Sequence, residues 1–357
     1  MIALVATPGI PGSIRTVDLP PTGTGTGTGT GSVPVRTLEV GICGTDREID
    51  DGAYGSAPPG RDDLVIGHEV VGVVEAGAAG LESGDLVVAT VRRSCGHCTN
   101  CASGAYDCCL TGDCPERGML GLDGFAVEVF YEAPQHLIRV PQELRRVAVL
   151  AEPLSVCERG LRHARAIAAR QPHRWSNALV LGAGAIGMLS ALLLRLEGLH
   201  VTVVSRGSER SEKAVLARRG GADYVSLADS SIDEVAAAIG NVDVLVEATG
   251  SAQIVHEAIA VIGINGVGCL LGIDAHARPL EINAIELGQR FVEHNKALVG
   301  SVNAAYEDWT TGVSDLVRIR HEWPGLLEEM IGLRASIEQY RSALSFRGVK
   351  ATVSFSS

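Results

Sequence analysis

Five cysteines fall within one short stretch of the chain, and four of them have a metal site's spacing: Cys95, Cys98 and Cys101 at CxxCxxC, and Cys109 after seven intervening residues. The stretch, RRSCGHCTNCASGAYDCC from Arg92 to Cys109, has no apolar periodicity that would make it a helix or strand of a core. Four thiolates on one loop close a tetrahedral zinc with no open position, which is the chemistry of a structural site. An iron–sulfur cluster is the competing reading, because Cys114–Pro115 echoes the end of a ferredoxin run. That run needs its CP cysteine three residues on, so zinc is expected. Cys108 and Cys114 fall outside the spacing.

A second set of ligand types is scattered. GICGTD places Cys43 on a turn, VIGHEVVG places His68 and Glu69 just before a strand, and AEPLSV places Glu152 at a domain junction. Thiolate, imidazole and carboxylate drawn from separate segments suit a catalytic zinc that keeps a position for water or substrate. Each of these residues alone is more ordinary than the set.

Gly182, Gly184 and Gly187 form GxGxxG, with Ala185 and Ile186 inside the motif. The motif follows the apolar run ALVL and opens a helix, the context in which backbone approaches a pyrophosphate at a helix N-terminus. An NAD-preferring fold would carry an acidic residue about 20 positions later. Here Ser205 and Arg206 stand in that place, with Arg210 nearby. A guanidinium matches a phosphate through paired charge-assisted bonds, so NADP is expected, with NAD possible because Glu209 is close. Otherwise both arginines are solvated surface residues.

These sites need elements to position them. Up to about residue 154 the chain shows short β-type runs such as LVIGHEVVGVVEAG and GDLVVATV, divided by Gly, Pro and Asp. From Ala151 the texture changes to a helical segment, then NALVLGAGAIGMLSALLLRLEGLHVTVVSR, a buried strand, glycine turn, apolar helix and second strand. Strands at ADYVSL, VDVLVEATG, GVGCLLGI and KALVGSV follow, with helix-length segments between them, the pattern of a doubly wound parallel sheet. GVKATVSFSS reads as an alternating strand that returns to the β-rich part. The expected organisation is therefore 1–154 β-rich, 155–299 dinucleotide-binding and 300–357 returning. The Gly/Thr tract from Pro20 to Pro34 is expected as a flexible surface loop.

A chain of 357 residues, 46% hydrophobic, is long enough for two full cores. Its N-terminus lacks the charge-then-apolar order of a signal peptide, and no stretch is apolar for the length of a bilayer span. A cytoplasmic location is expected, where nine cysteines read as metal ligands and free thiols. A net charge of −12 argues against nucleic acid and anionic membrane as partners. Only Lys213, Lys296 and Lys350 are lysines, a bias that fits a GC-rich genome or a salt-rich cytoplasm.

GICGTD, GHEVVG, GDLVV, the four-cysteine loop and LGAGAIG stand in the order and spacing of the zinc-dependent medium-chain dehydrogenases, which the chain resembles over nearly its whole length. CGTDREI, TVRR, ERGMLGLDGF, AEPLSVCER and NKALVGSVN are most similar to the glucose 1-dehydrogenases of archaeal, notably haloarchaeal, kind. The segment from about Thr310 to Ser345 matches no motif. The resemblance implies a GroES-like catalytic domain joined to a Rossmann domain, assembled as a homodimer or homotetramer. It implies oxidation of an aldose, D-glucose to gluconolactone first among them, with Cys43 and His68 on zinc, Glu69 and Glu152 sharing a further place, and Thr45 relaying the proton. Hydride would pass to a nicotinamide held near Thr249, Leu271, Gly272 and Ile273 and near Ser301, Val302 and Asn303. Thr45, Glu116, Glu152 and Asn303 would meet the sugar, unless Glu116 is merely half of a surface ion pair with Arg117 and Asn303 caps a turn. A polyol or L-threonine dehydrogenase, or a cofactor-binding protein without activity, is the alternative.

Overall fold

The structure, a computed structural model, describes residues 1–20, 32–275 and 279–355. Most of the Gly/Thr tract, Pro21 to Gly31, lies outside them. The chain divides into two units: Met1–Ser155 with Asn303–Val317 and Ile331–Ser357, and Val156–Val302 with Arg318–Met330. Arg318–Met330 therefore belongs with the second unit, unlike Asn303–Val317 and Ile331–Ser357.

The first unit is built on a seven-stranded sheet. Its central strand, Val33–Ile42, pairs antiparallel with Glu69–Val74 on one side. On the other side Val129–Glu132 takes its first half and Lys350–Ser354 its second. Leu86–Ala89 and Leu137–Arg139 extend one edge, and Ile331–Ser336 runs parallel to Lys350–Ser354 at the other. The segment that matched no motif thus supplies this edge strand. GVKATVSFSS forms the expected strand, but without a wet face: Lys350 through Val353 are all buried. The polar positions face buried partners, Thr352 donating to Glu39 at 3.0 Å and Lys350 bonding Glu69.

Register brings chemistry together at one end of this sheet. Gly41 lies opposite Glu69, and Ile42 opposite Ala351, so Cys43, Glu69 and Lys350 converge from three strands. A Cβ on Gly41 would stand 1.9 Å from Glu69 Oε2. Only glycine leaves that carboxylate its room.

The second unit is a six-stranded, wholly parallel sheet in the order Asp223–Ser226, His200–Ser205, Asn177–Leu181, Val244–Glu247, Val267–Leu270, Ala297–Gly300. The third, second, first, fourth, fifth and sixth strands in chain order lie side by side, the doubly wound order expected. Leu179, Leu181, Val204 and Leu245 pack with Val235, Ala258 and Ile262 in a buried core. Among the described residues no helix is long and apolar enough to cross a membrane.

Candidate active site and metal centres

Cys43 caps the helix Gly44–Asp50, its sulfur accepting the Thr45 N–H at 3.2 Å while Asp46 Oδ2 accepts the Cys43 N–H at 2.9 Å. That reciprocal cap fixes the thiol at the helix mouth. Its Sγ stands 3.2 Å from His68 Nε2, and one ligand atom each from Cys43, His68 and Glu69 lie within 4.8 Å of one another. Glu152, in the first turn of the helix Ala151–Ala168, is outside that group but close enough for its charge to act on His68. Thr45 is half-buried beside the cluster.

The electrostatics of this cluster favour a cation. Burial works against an imidazolium at His68, yet the charges of Cys43 and then Asp46 outweigh it and raise its pKa well above the ordinary value. Burial pushes the Glu152 carboxyl up to about 7, with His68 opposing and Glu69 reinforcing. His68 Nδ1 and Asp46 Oδ1 are 3.8 Å apart, both buried and neither hydrogen-bonded. A soft thiolate, an imidazole and a carboxylate with concentrated negative potential fit zinc.

Glu69 has a second partner that sequence reasoning missed. Lys350 Nζ lies 2.6 Å from both carboxylate oxygens, and both side chains are 2% exposed. The signal was faint: one of three lysines set in an apolar strand. Asp46 was also missed, although its place three residues after Cys43 is the signature of a cap.

Cys95, Cys98, Cys101 and Cys109 bring their sulfurs within 4.8 Å of one another. Cys95 Sγ accepts the Cys98 N–H and Cys98 Sγ accepts the Cys101 N–H, both at 3.4 Å. Backbone donors from His97 and Cys98 bring the Cys95 thiol down to about 7, and Thr111 and then Cys114 bring Cys109 to about 5. Thiolates are thus favoured at these two positions, whereas at Cys101 the lowering hydrogen bond of Ser94 is outweighed by burial and the neighbouring thiols, and its pKa is raised. The Cys98–Cys109 sulfur separation is 3.9 Å, close to the edge of roughly 3.8 Å that zinc–sulfur bonds of about 2.3 Å give a tetrahedron.

In the second unit the expected nucleotide residues gather at the carboxyl ends of the parallel strands. Gly182 ends Asn177–Leu181 with φ of +108°, and a Cβ on Gly187 would stand 1.9 Å from the Gly182 carbonyl oxygen. Gly184 has open space about it and caps the helix Ala185–Leu196, which contains Ile186, with no side-chain hydrogen bond. That helix mouth presents unpaired N–H groups. Ser205 ends its strand, followed by Arg206 and Arg210, both exposed; Glu209 is engaged by Arg218 at 3.1 Å. Thr249 N–H donates to the buried Glu247 carboxylate at 2.6 Å, and the Leu271 and Gly272 N–H groups donate to the Glu247 carbonyl, with Ile273 next in the chain. Ser301 N–H bonds the Leu270 carbonyl at 3.1 Å, and the Val302 carbonyl accepts from Arg159.

Asn303 belongs to the first unit instead. Its Nδ2 donates to Glu116 Oε1 at 3.1 Å while its own Oδ1 accepts the Ala304 N–H at 2.9 Å. Glu116 is no surface residue, being 4% exposed, and its ion partner is Arg92. Arg117 is fully buried against Glu132.

Comparison with known proteins agrees with this geometry. Residues 29–142 match the alcohol dehydrogenase GroES-like domain family, and residues 145–355 match the glucose dehydrogenase C-terminus family. The chain is 42% identical to a glucose 1-dehydrogenase of Methanocella arvoryzae, over 96% of each chain. It is 38% identical to glucose 1-dehydrogenase 2 of Vulcanisaeta moutnovskia, over 97% of this chain and 96% of that one. A glucose dehydrogenase of Haloferax mediterranei, solved in complex with NADP, Zn and gluconolactone, superposes with a TM-score of 0.91 at 30% identity over the whole of both chains. Full-length likeness in both sequence and fold places the chain in the glucose 1-dehydrogenase family.

Proposed function

We propose that this chain oxidises an aldose, D-glucose to gluconolactone, with zinc and with hydride transfer to NADP in preference to NAD. The observation that carries the reading is the convergence of Cys43, His68 and Glu69 in a chain whose Haloferax relative is solved with NADP, Zn and gluconolactone. Cys43, His68 and one carboxylate, Glu69 or Glu152, hold the catalytic zinc; Cys95, Cys98, Cys101 and Cys109 hold a structural one. When bound, the catalytic zinc supplies Lewis acidity toward the sugar hydroxyl.

The chain's own groups do the rest. Thr45 hands the hydroxyl proton toward solvent. Glu116 and Asn303 bind sugar hydroxyls. The glycine turn and the uncapped helix mouth hold the pyrophosphate, while Ser205, Arg206 and Arg210 read the ribose phosphate. Thr249, Leu271–Ile273, Ser301 and Val302 hold the nicotinamide half.

We place the protein in the cytoplasm, where a reducing medium suits nine unbridged cysteines. We also propose a homodimer or homotetramer. Among the described residues the edge strand Ala297–Gly300 is paired on one side only, with Leu298 exposed, and the helix Ala284–Glu293 buries none of its residues and exposes Ile285 and Val292. Sedimentation at a monomer's mass would refute this assembly. The activity itself is tested by a panel of sugars and alcohols with both nucleotides. Glucose should exceed sorbitol, ethanol and threonine in kcat/KM. Threonine or a simple alcohol outperforming every aldose would overturn the assignment.

A further inference from the structure

Glu116 holds its two carboxylate oxygens in different company. Arg92 donates to Oε1 from Nε at 2.8 Å, its Nη2 lies 2.7 Å from the same oxygen, and Asn303 donates to that atom as well. Oε2 has no donor among the described residues. The third guanidinium nitrogen, Nη1, donates at 3.1 Å to the carbonyl of Asp107, in the turn Tyr106–Cys108 of the cysteine loop. Backbone pairing holds both residues in place. Arg92 and Glu116 face each other in an antiparallel bridge, flanked by Arg93 N–H to the Pro115 carbonyl at 2.9 Å and Arg117 N–H to the Val91 carbonyl at 3.1 Å. Glu116 still projects charge beyond this pair: after burial, it is what most raises the pKa of the half-buried Tyr54 phenol.

We infer that Arg92 is the positioning residue of the sugar site: it saturates one oxygen of Glu116, turns the other into the acceptor for a substrate hydroxyl, and anchors that arrangement to the cysteine loop. This rests on the reading of Glu116 as a sugar contact. A carboxylate pinned on one oxygen by charged donors cannot rotate away, so its free oxygen keeps one direction. The planar fork is required. Lysine has one nitrogen and cannot hold Glu116 and the Asp107 carbonyl with the geometry of three. Losing the guanidinium leaves a buried carboxylate without its counter-ion, free to turn toward other donors.

The test uses the zinc- and NADP-loaded protein and four variants, Arg92→Met, Arg92→Lys, Glu116→Gln and the Arg92→Met/Glu116→Gln double. KM for glucose should rise about tenfold or more in Arg92→Met, the scale on which a charged hydrogen bond acts, and less in Arg92→Lys. KM for NADP and zinc content in both single Arg92 variants should stay near the parent's, whereas the melting temperature of Arg92→Met should fall because Glu116 loses its buried counter-ion, and should recover in the double variant. The double variant should be no worse than the poorer single, because both act through one acceptor. If Glu116→Gln raises KM for glucose while Arg92→Met does not, or the double is additive, the positioning role is overturned and the sugar contact stands. If Glu116→Gln leaves KM for glucose unchanged, the sugar contact fails and the role of Arg92 with it. Should Arg92→Met not fold, Arg92→Lys decides alone, and a parental KM overturns the proposal.

Discussion

The two cysteine-bearing centres of the first unit are built in opposite ways. The loop from Cys95 to Cys109 takes all four sulfurs from adjacent turns, with local N–H groups bonding two of them. The cluster of Cys43, His68 and Glu69 takes one ligand from a helix cap and two from a strand entrance, and its carboxylate is held by Lys350 from a distant strand. Adjacent ligands let a metal fold its own site. Scattered ligands need a finished sheet before they meet.

That contrast is broken most heavily at the loop. Cys98→Ser should lose the loop's zinc and a large part of the roughly 10–16 kcal/mol apparent affinity such sites have. Metal analysis with thermal melting should show the other zinc retained and stability reduced. A visible absorption band from protein purified without air would instead assign an iron–sulfur cluster there.

The scattered cluster should answer differently. His68→Ala or Cys43→Ala should cut turnover by about a thousandfold or more, since Lewis-acid stabilisation is worth several kcal/mol. NADP binding, followed by titration, should remain, because the residues proposed to hold the nucleotide lie in the other unit. Equal loss of both would merge what the comparison separates.

Lys350→Met asks what holds the scattered site together without replacing a ligand. It leaves Glu69 a buried, uncompensated charge, which costs about 3–5 kcal/mol. Denaturant unfolding should record that loss, and adding Glu69→Gln should restore most of it. Outside both centres, Arg206→Ala should weaken NADP relative to NAD by about 1.5–3 kcal/mol; equal weakening would show that Arg206 does not read the phosphate.

The smallest effect concerns how the loop leans on the sheet. His136 meets Tyr106 of the loop edge to face at 6.5 Å and shares a hydrogen bond with Thr90. Burial, and after it the charge of Arg93, lowers its pKa from 6.5 to about 4. The unfolded chain therefore binds a proton near pH 6.5 that the folded one refuses until about 4. Stability from this group is present above 6.5 and lost as pH falls through that window, so His136→Gln should flatten that part of a stability–pH curve.

The same contrast decides what could be read in advance. Loop ligands, glycine turn and strand–helix alternation are local patterns, and spacing alone exposes them. Glu116 and Arg117 show the limit. As neighbours in sequence they look like an ion pair, but successive strand residues point to opposite faces. Arg117 goes inward to Glu132 while Glu116 meets Arg92, 24 residues back. Glu69 and Lys350 are 281 residues apart, and only sheet register pairs them. In a strand that buries both faces, the polar–apolar alternation from Lys350 to Ser354 no longer tells which side chains meet water.

The order of synthesis gives the Lys350 strand a further meaning. Every residue of the second unit is made after Glu69 and before Lys350. At about 5–20 residues per second, those 281 positions correspond to roughly 15–55 s of elongation. Throughout that interval the emerging first unit carries a carboxylate without its counter-ion. The backbone of Val40–Ile42 also lacks the partner that Ala351–Val353 later provides. A nascent chain in this state offers an open strand edge to its neighbours on the polysome. Aggregation during overexpression should therefore begin at this edge, and slowing initiation should relieve it more than cooling the purified protein does.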